Sequence, residues 1–192
     1  MKKIPTLFVR DEDERAYVTE EVTPGCEWVI AGLGIPTRKY DGTCTMLDDS
    51  GKWWARREVK PGKEAPANFM PVDHDKVTGK TMGWEPIEQS SYARWHAEAL
   101  VVEERRRGRA LAAPGTYELV GPKVNGNPER CGEHMLIEHA TAQPYIAPEL
   151  KLTFDGVRDF VLALAEKDGC EGLVWHHPDG RMVKIKAKDF RR

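Results

Sequence analysis

The chain has 192 residues, 40% of them hydrophobic and 31% charged, with a formal net charge of −2. That length suits one domain, or one domain with a small appendage, with a real core, and a charge so near zero gives no whole-surface case for nucleic acid, so any such binding must come from local basic patches. Four cysteines (Cys26, Cys44, Cys131, Cys170) stand far apart with no Cys-x-x-Cys pair, which argues against a structural zinc site or a disulfide framework and for a reducing, cytoplasmic setting.

Met1-Lys2-Lys3 leads into an apolar run too short for a signal peptide or a membrane span. Residues 4–9 predict a short strand and the acidic residues 11–14 a solvated turn. Residues 27–33 are apolar enough for a strand or a helix, and periodicity does not choose between them. Gly32, Gly34 and Pro36 punctuate the approach to Thr37-Arg38-Lys39-Tyr40-Asp41-Gly42-Thr43-Cys44-Thr45. In extended backbone, residues two apart share a face, so Lys39 and Asp41 are expected to point into one pocket. Gly42 then lets the backbone come close to what fills it. A lysine so placed can be a nucleophile where cations or desolvation lower its pKa. A surface turn with a solvated lysine and aspartate is the plain alternative for four residues taken alone. Cys44 reads as a small packed residue.

Residues 43–47 and 52–59, joined by Asp48-Asp49-Ser50-Gly51, read as a β-hairpin. Trp54 and Arg56 share a face of its second strand, which carries Arg56 back toward Lys39. The Pro-, Gly-, Lys- and Asp-rich residues 60–84 predict a surface excursion with His74 in solvent. Residues 86–107 predict a helix opening at Pro86, with Trp95, Ala99 and Val102 on its buried side. It ends in Glu103-Glu104-Arg105-Arg106-Arg107-Gly108-Arg109, where the arginines either grip phosphates or form a solvated face. Residues 116–120 predict a strand carrying Glu118, 123–130 an irregular loop, and 135–140 another strand. Asp155 reads as the N-cap of a helix whose apolar face is Val157, Phe160, Val161 and Leu164 and which Gly169 ends. Glu171 opens a strand over 173–176. Pro178-Asp179-Gly180 turns the chain, and 181–186 returns as the last strand with Lys184 and Lys186 on one face.

In this order, Lys39-Tyr40-Asp41-Gly42, Trp54-Ala55-Arg56, Tyr117-Glu118-Leu119-Val120-Gly121-Pro122-Lys123-Val124-Asn125-Gly126-Asn127-Pro128, Glu171-Gly172-Leu173-Val174-Trp175-His176 and Lys184-Ile185-Lys186 resemble the motif series of the covalent nucleotidyltransferase superfamily. That superfamily holds the ATP-dependent ligases and capping enzymes, and the chain looks most like its small stand-alone RNA ligases. The resemblance implies an α+β adenylation domain, two packed antiparallel sheets with flanking helices and a nucleotide in the cleft between sheets. The chain departs from the larger ligases in length: only six residues follow Lys186, so a single domain over 1–192 with no separate C-terminal domain is expected.

The implied reaction begins with Lys39 attacking the α-phosphate of ATP. AMP then passes to the 5′-phosphate of an RNA, and a 3′-hydroxyl displaces it. Asp41, Arg56, Glu118, Glu171, Lys184 and Lys186 are the implied nucleotide-binding residues, with Glu118 and Glu171 holding Mg²⁺ or Mn²⁺. Glu118 is alternatively a ribose ligand, and Arg56 a ligand of the ribose or of the 5′-phosphate. Lys184, Lys186 and the metal are expected to lower the pKa of Lys39. Arg105, Arg106 and Arg107 are candidates for the RNA backbone. Relatives supply an adenine-stacking aromatic ring near 135–140; this chain has none there, leaving His134 and His139 as substitutes or as satisfied structural histidines. The alternatives are a DNA ligase, a capping-type nucleotidyltransferase, or a non-catalytic RNA-binding relative.

Overall fold

Short strands between turn residues dominate the chain. In order they are β1 (Phe8–Arg10), β2 (Val18–Val22), α1 (Glu27–Ile30), β3 (Ile35–Lys39), β4 (Thr43–Leu47), β5 (Trp53–Val59), β6 (Met70–Asp75), β7 (Lys80–Pro86), α2 (Ala93–Arg107), β8 (Gly115–Val120), β9 (Met135–Glu138), α3 (Phe154–Asp168), β10 (Gly172–His176) and β11 (Met182–Lys186). The computed structural model describes residues 3–108, 113–145 and 149–191; the Arg107 side chain and Arg109 lie outside the described residues. The architecture is α+β with antiparallel sheets. Its backbone divides into two compact units, Met1–Lys3 with Asp41–Thr141 and Ile4–Tyr40 with Ala142–Arg192.

The first unit is a six-stranded sheet of order β6-β7-β5-β4-β8-β9. Thr45 pairs with Ala55 and Tyr117, and Leu119 with Leu136. Strand alternation then puts Leu47, Trp53, Tyr117, Leu119 and Leu136 on one face, where Ala99, Trp95 and Leu100 of α2 cover them. Cys44, Arg56, Thr116 and Glu118 take the opposite face. The predicted hairpin is β4 and β5, but residues 60–84 are not a plain excursion: they hold β6 and β7, an edge hairpin. Its outermost strand carries Pro71 and an irregularity between Pro71 and Asp73, so no regular alternation announces it. The predicted helix start also shifts. Pro86 ends β7 opposite Trp54, a single 3₁₀ turn covers Ile87–Gln89, and α2 begins at Ala93. His74 is exposed, as expected.

The second unit holds the three-stranded sheet β11-β10-β3 and the β1-β2 pair. Leu173, Trp175, Val183 and Ile185 point to one face, which α3 covers with Val157 and Val161. Burying each of these large apolar side chains contributes about 1.5–3 kcal/mol. Residues 27–33 resolve as a short helix, Glu27–Ile30. The strand expected over 4–9 is split, with β1 beginning at Phe8 while the backbone at Pro5 and Leu7 bonds Lys184 on the edge of β11. Thr153, not Asp155, caps α3: its hydroxyl accepts from the Gly156 N–H at 3.2 Å, and Asp155 turns to Arg158 at 2.6 Å. Gly169 ends that helix in the left-handed conformation, φ 65°.

Candidate functional site

In the second unit the ladder brings Lys39, Gly172 and Lys186 side by side, since Gly172 pairs with Lys39 across one edge of β10 and with Lys186 across the other. Residues paired across a sheet share a face, so both lysines rise from the face opposite α3, as does Lys184 one pleat away. Only glycine allows this closeness. A Cβ at Gly172 would lie 2.0 Å from the Ile185 carbonyl oxygen and 2.7 Å from the Lys186 Cα.

Glu171, one residue before the glycine, answers both lysines. Its Oε2 lies 2.5 Å from the Lys39 Nζ, and its Oε1 accepts from the Lys186 Nζ. The Glu171 side chain is 9% exposed. Burial pushes its carboxyl up, but the adjacent Lys39 and Lys186 charges and their hydrogen bonds outweigh that, and the net pKa lies below the ordinary value. Glu171 is thus an anion at neutral pH, and with Lys39 and Lys186 the cluster carries one net positive charge.

Two neighbours to which the sequence reading gives no role hold this cluster in place. Asp189, buried, accepts from the Lys186 backbone N–H at 2.9 Å and from the Arg10 guanidinium at 2.7 Å. The Thr37 hydroxyl donates to the Val174 carbonyl at 3.1 Å, tying β3 to β10. The signal for Asp189 was its place three residues after Lys186, the spacing of a capping box.

In the first unit the Gly42 N–H donates to Glu118 Oε1 at 3.0 Å. The other oxygen, Oε2, lies 2.9 Å from the His139 Nε2, and the His139 Nδ1 lies 3.0 Å from the Thr116 hydroxyl. Cys44 pairs directly with Glu118 in the ladder, so its thiol shares their face. Arg56, the residue after Ala55 in a strand paired with β4, lies on that face too. Gly42 again permits a close approach, because a Cβ there would meet the Leu119 carbonyl oxygen at 2.1 Å. The Asp41 N–H donates to Glu129 Oε1 at 2.9 Å, and the Asn125 amide donates to the Gly42 carbonyl at 2.7 Å and to Asp41 at 3.3 Å.

His134 is a packed structural histidine, stacked on Trp95 with ring centroids 5.0 Å apart and 2.9 Å from Glu98. His139 instead belongs to Glu118. Arg105 and Arg106 are exposed, yet both pair with Glu133, so part of their charge is answered locally.

No protein-family model matches the chain. It is 28% identical to RNA ligase 1 of Pongo abelii over 265 aligned positions, which cover 96% of this chain and 79% of that protein. It is 25% identical to RNA ligase 1 of Danio rerio over 260 positions, with the same coverage, and 26% identical to RNA ligase 1 of Rattus norvegicus over 224 positions, covering 79% of this chain and 65% of that one. The first two alignments exceed the 192 residues here, so those relatives carry extra segments inside the shared region. The similarity to RNA ligases that the motif series carries therefore extends over most of the chain.

Proposed function

We propose that this chain is an ATP-dependent RNA ligase with an adenylation-type fold, joining 5′-phosphate and 3′-hydroxyl ends through a lysyl-AMP intermediate on Lys39. One observation carries the reading: Lys39 and Lys186, 147 positions apart in the chain (186 − 39), converge on a single buried carboxylate at one level of one sheet. The names of the similar proteins support the substrate class.

The chemistry follows from that cluster. The Lys39 amine, once free of its ion pair and deprotonated, attacks the α-phosphorus. An N–P bond forms, the bond from the α-phosphorus to the bridging oxygen breaks, and pyrophosphate leaves. The RNA 5′-phosphate oxygen next displaces the lysine, giving a pyrophosphate linkage to AMP. A 3′-hydroxyl oxygen then attacks the 5′-phosphate and AMP departs. Lys186, with Lys184 on the same face, offers positive charge to the phosphates at each displacement. Glu171 holds the Lys39 ammonium at rest.

Of the two carboxylates, Glu171 has only oxygens to offer magnesium or manganese, and a bound ion would have to take the place of the Lys39 or Lys186 ammonium now paired with it. Bound there, such an ion would supply charge neutralisation at the triphosphate. Glu118, beside a thiol and an imidazole, fits a hard cation less well and is assigned to the ribose hydroxyls. Asp41 is assigned to orienting substrate and Arg56 to the ribose or the 5′-phosphate, which a guanidinium grips bidentately.

The test is incubation with α-labelled ATP and magnesium, followed by denaturing electrophoresis. Label should remain on the wild-type protein and vanish from Lys39→Ala and Lys39→Arg, because a guanidinium stays protonated. Label retained by the alanine variant overturns the assignment. Label from GTP in place of ATP makes the chain a capping-type enzyme.

A further inference from the structure

The Glu118 side of the molecule carries a donor set of which the proposed ligation uses Glu118 alone. Cys44 Sγ, a Glu118 oxygen and a His139 ring nitrogen all lie within 4.8 Å of one another. Glu118 is buried and the other two are half-buried, so the cluster is sheltered without being sealed. Around tetrahedral zinc, with bonds of roughly 2.0–2.3 Å, ligand atoms stand roughly 3.3–3.8 Å apart. The three donors therefore need only small side-chain adjustments to surround an ion.

Two supports make this more than proximity. The Gly42 N–H fixes Glu118 Oε1 at 3.0 Å, which leaves Oε2 turned to the cluster. Thr116, two residues before Glu118 on the same strand face, sits 3.0 Å from the His139 Nδ1. Its hydroxyl can accept from Nδ1–H, leaving the Nε2 lone pair directed at Glu118 Oε2. An imidazole lone pair and a carboxylate oxygen 2.9 Å apart repel each other unless a proton or a cation lies between them. Metal-bound histidines are held by such a partner on the second nitrogen.

We propose that Cys44, Glu118 and His139 form a site for one thiophilic divalent cation of the zinc class, with a fourth position open to water. A thiolate with an imidazole selects zinc over magnesium. Binding sends the Cys44 thiol proton to solvent and replaces the His139–Glu118 contact by two bonds to the ion; nothing is oxidised. Where Glu118 also serves the nucleotide, the cation and ATP compete for one carboxylate, so zinc restrains adenylation. That consequence rests on the ligase reading; the site itself does not.

Cobalt(II) is the probe, because its thiolate complexes absorb where the protein does not. Titrating the 192-residue chain with cobalt should produce a thiolate-to-cobalt charge-transfer band that saturates at one ion per chain and that zinc abolishes. Cys44→Ser should remove the band and Cys131→Ser should keep it. Thr116→Val, which takes away the orienting hydroxyl, should weaken binding about tenfold with the band intact. The wild-type protein offers a check free of folding artefacts: zinc should slow alkylation of Cys44, mapped by mass spectrometry, and leave Cys131 unchanged. No band, a band that survives in Cys44→Ser, or equal alkylation with and without zinc overturns the site. If the cobalt results hold while zinc leaves adenylation untouched, the site stands and the assignment of Glu118 to the nucleotide falls.

Discussion

Two antiparallel sheets in this chain solve the same packing problem and then diverge in charge. In the Asp41–Thr141 unit, α2 covers one face of the six-stranded sheet; in the other unit, α3 covers one face of the three-stranded sheet. The opposite faces differ. One sets Lys39 and Lys186 about a single carboxylate with Lys184 on the same face, the other sets Glu118 with a thiol and an imidazole. The positive cluster suits a polyphosphate, and the mixed donor set suits a ribose hydroxyl or a soft cation. Each arrangement depends on a glycine that lets two backbones nearly touch.

The sharpest way to break the comparison is at those glycines. Gly172→Ala and Gly42→Ala each drive a methyl into a carbonyl oxygen, 2.0 Å and 2.1 Å away. Each should cost about 3 kcal/mol of stability, read by urea unfolding, because backbone must shift rather than a side chain. A loss under about 1 kcal/mol in either would mean that the strands have slack and that the glycine is not what sets the approach.

Glu171→Gln tests the lysine cluster. The amide keeps the shape and removes the charge that two ammoniums share. Adenylation should fall about 100-fold, and stability should drop by about 2 kcal/mol, less than for a fully sealed pair because the lysines keep about a fifth of their surface. Since the Glu171 pKa is lowered on folding, its contribution is present above the ordinary 4.5 and is lost as pH falls through the lower folded value. A variant as stable as wild type at pH 7 but with the same acid transition would remove Glu171 from this account.

The first unit has a different acid window. Burial holds His96 down at about 4 from 6.5, against the opposing charge of Glu88, and its ring packs edge-on to Trp53 at 4.5 Å. The unfolded chain takes up a proton that the folded one refuses, so stability falls as pH drops from about 6.5 toward 4. The loss between pH 7 and pH 5 should be about 2 kcal/mol. His96→Phe should erase that loss, and hydrogen exchange should place the change on α2 and β5. An unaltered pH profile in the variant would show that another group titrates.

The smallest effect expected is at the helix end. Because Glu133 already pairs with Arg105 and Arg106, Arg105→Ala with Arg106→Ala should reduce the log–log salt slope of RNA binding by at most about 1 unit, where two full phosphate contacts to a single strand carry roughly 1.4. Adenylation of Lys39 should not change. A drop of the full amount would mean that RNA displaces Glu133.

How much was legible beforehand follows the range of the interactions. The hairpin β4–β5, the strand carrying Glu118, the last two strands and the C-terminus of α3 rest on alternation and glycine placement, which act over a few residues. The hairpin β6–β7 was hidden because Pro71 and the irregularity beside it interrupt the alternation of the edge strand, and the start of α2 was misread because Pro86 fits a strand end as well as a first helical turn. Among the described residues, no helix is long and apolar enough to cross a membrane, in line with the short apolar runs of the sequence.

The sequence by itself determined the order of the motifs and the alternation that puts Lys184 and Lys186 on one face, because each is written in neighbouring residues, and the resemblance those motifs carry implied the α+β class. Only the tertiary structure decided which groups meet. Glu171 reaches Lys39 across 132 positions of chain (171 − 39), and Cys44, Glu118 and His139 gather from two strands and a 3₁₀ turn. Cysteine spacing carries no sign of the neighbour of Cys44, because it is the β4–β8 register that sets Cys44 against Glu118. The reason is physical: ladder register and the close approach at glycine are set by the packing of a whole sheet, and no local pattern encodes them.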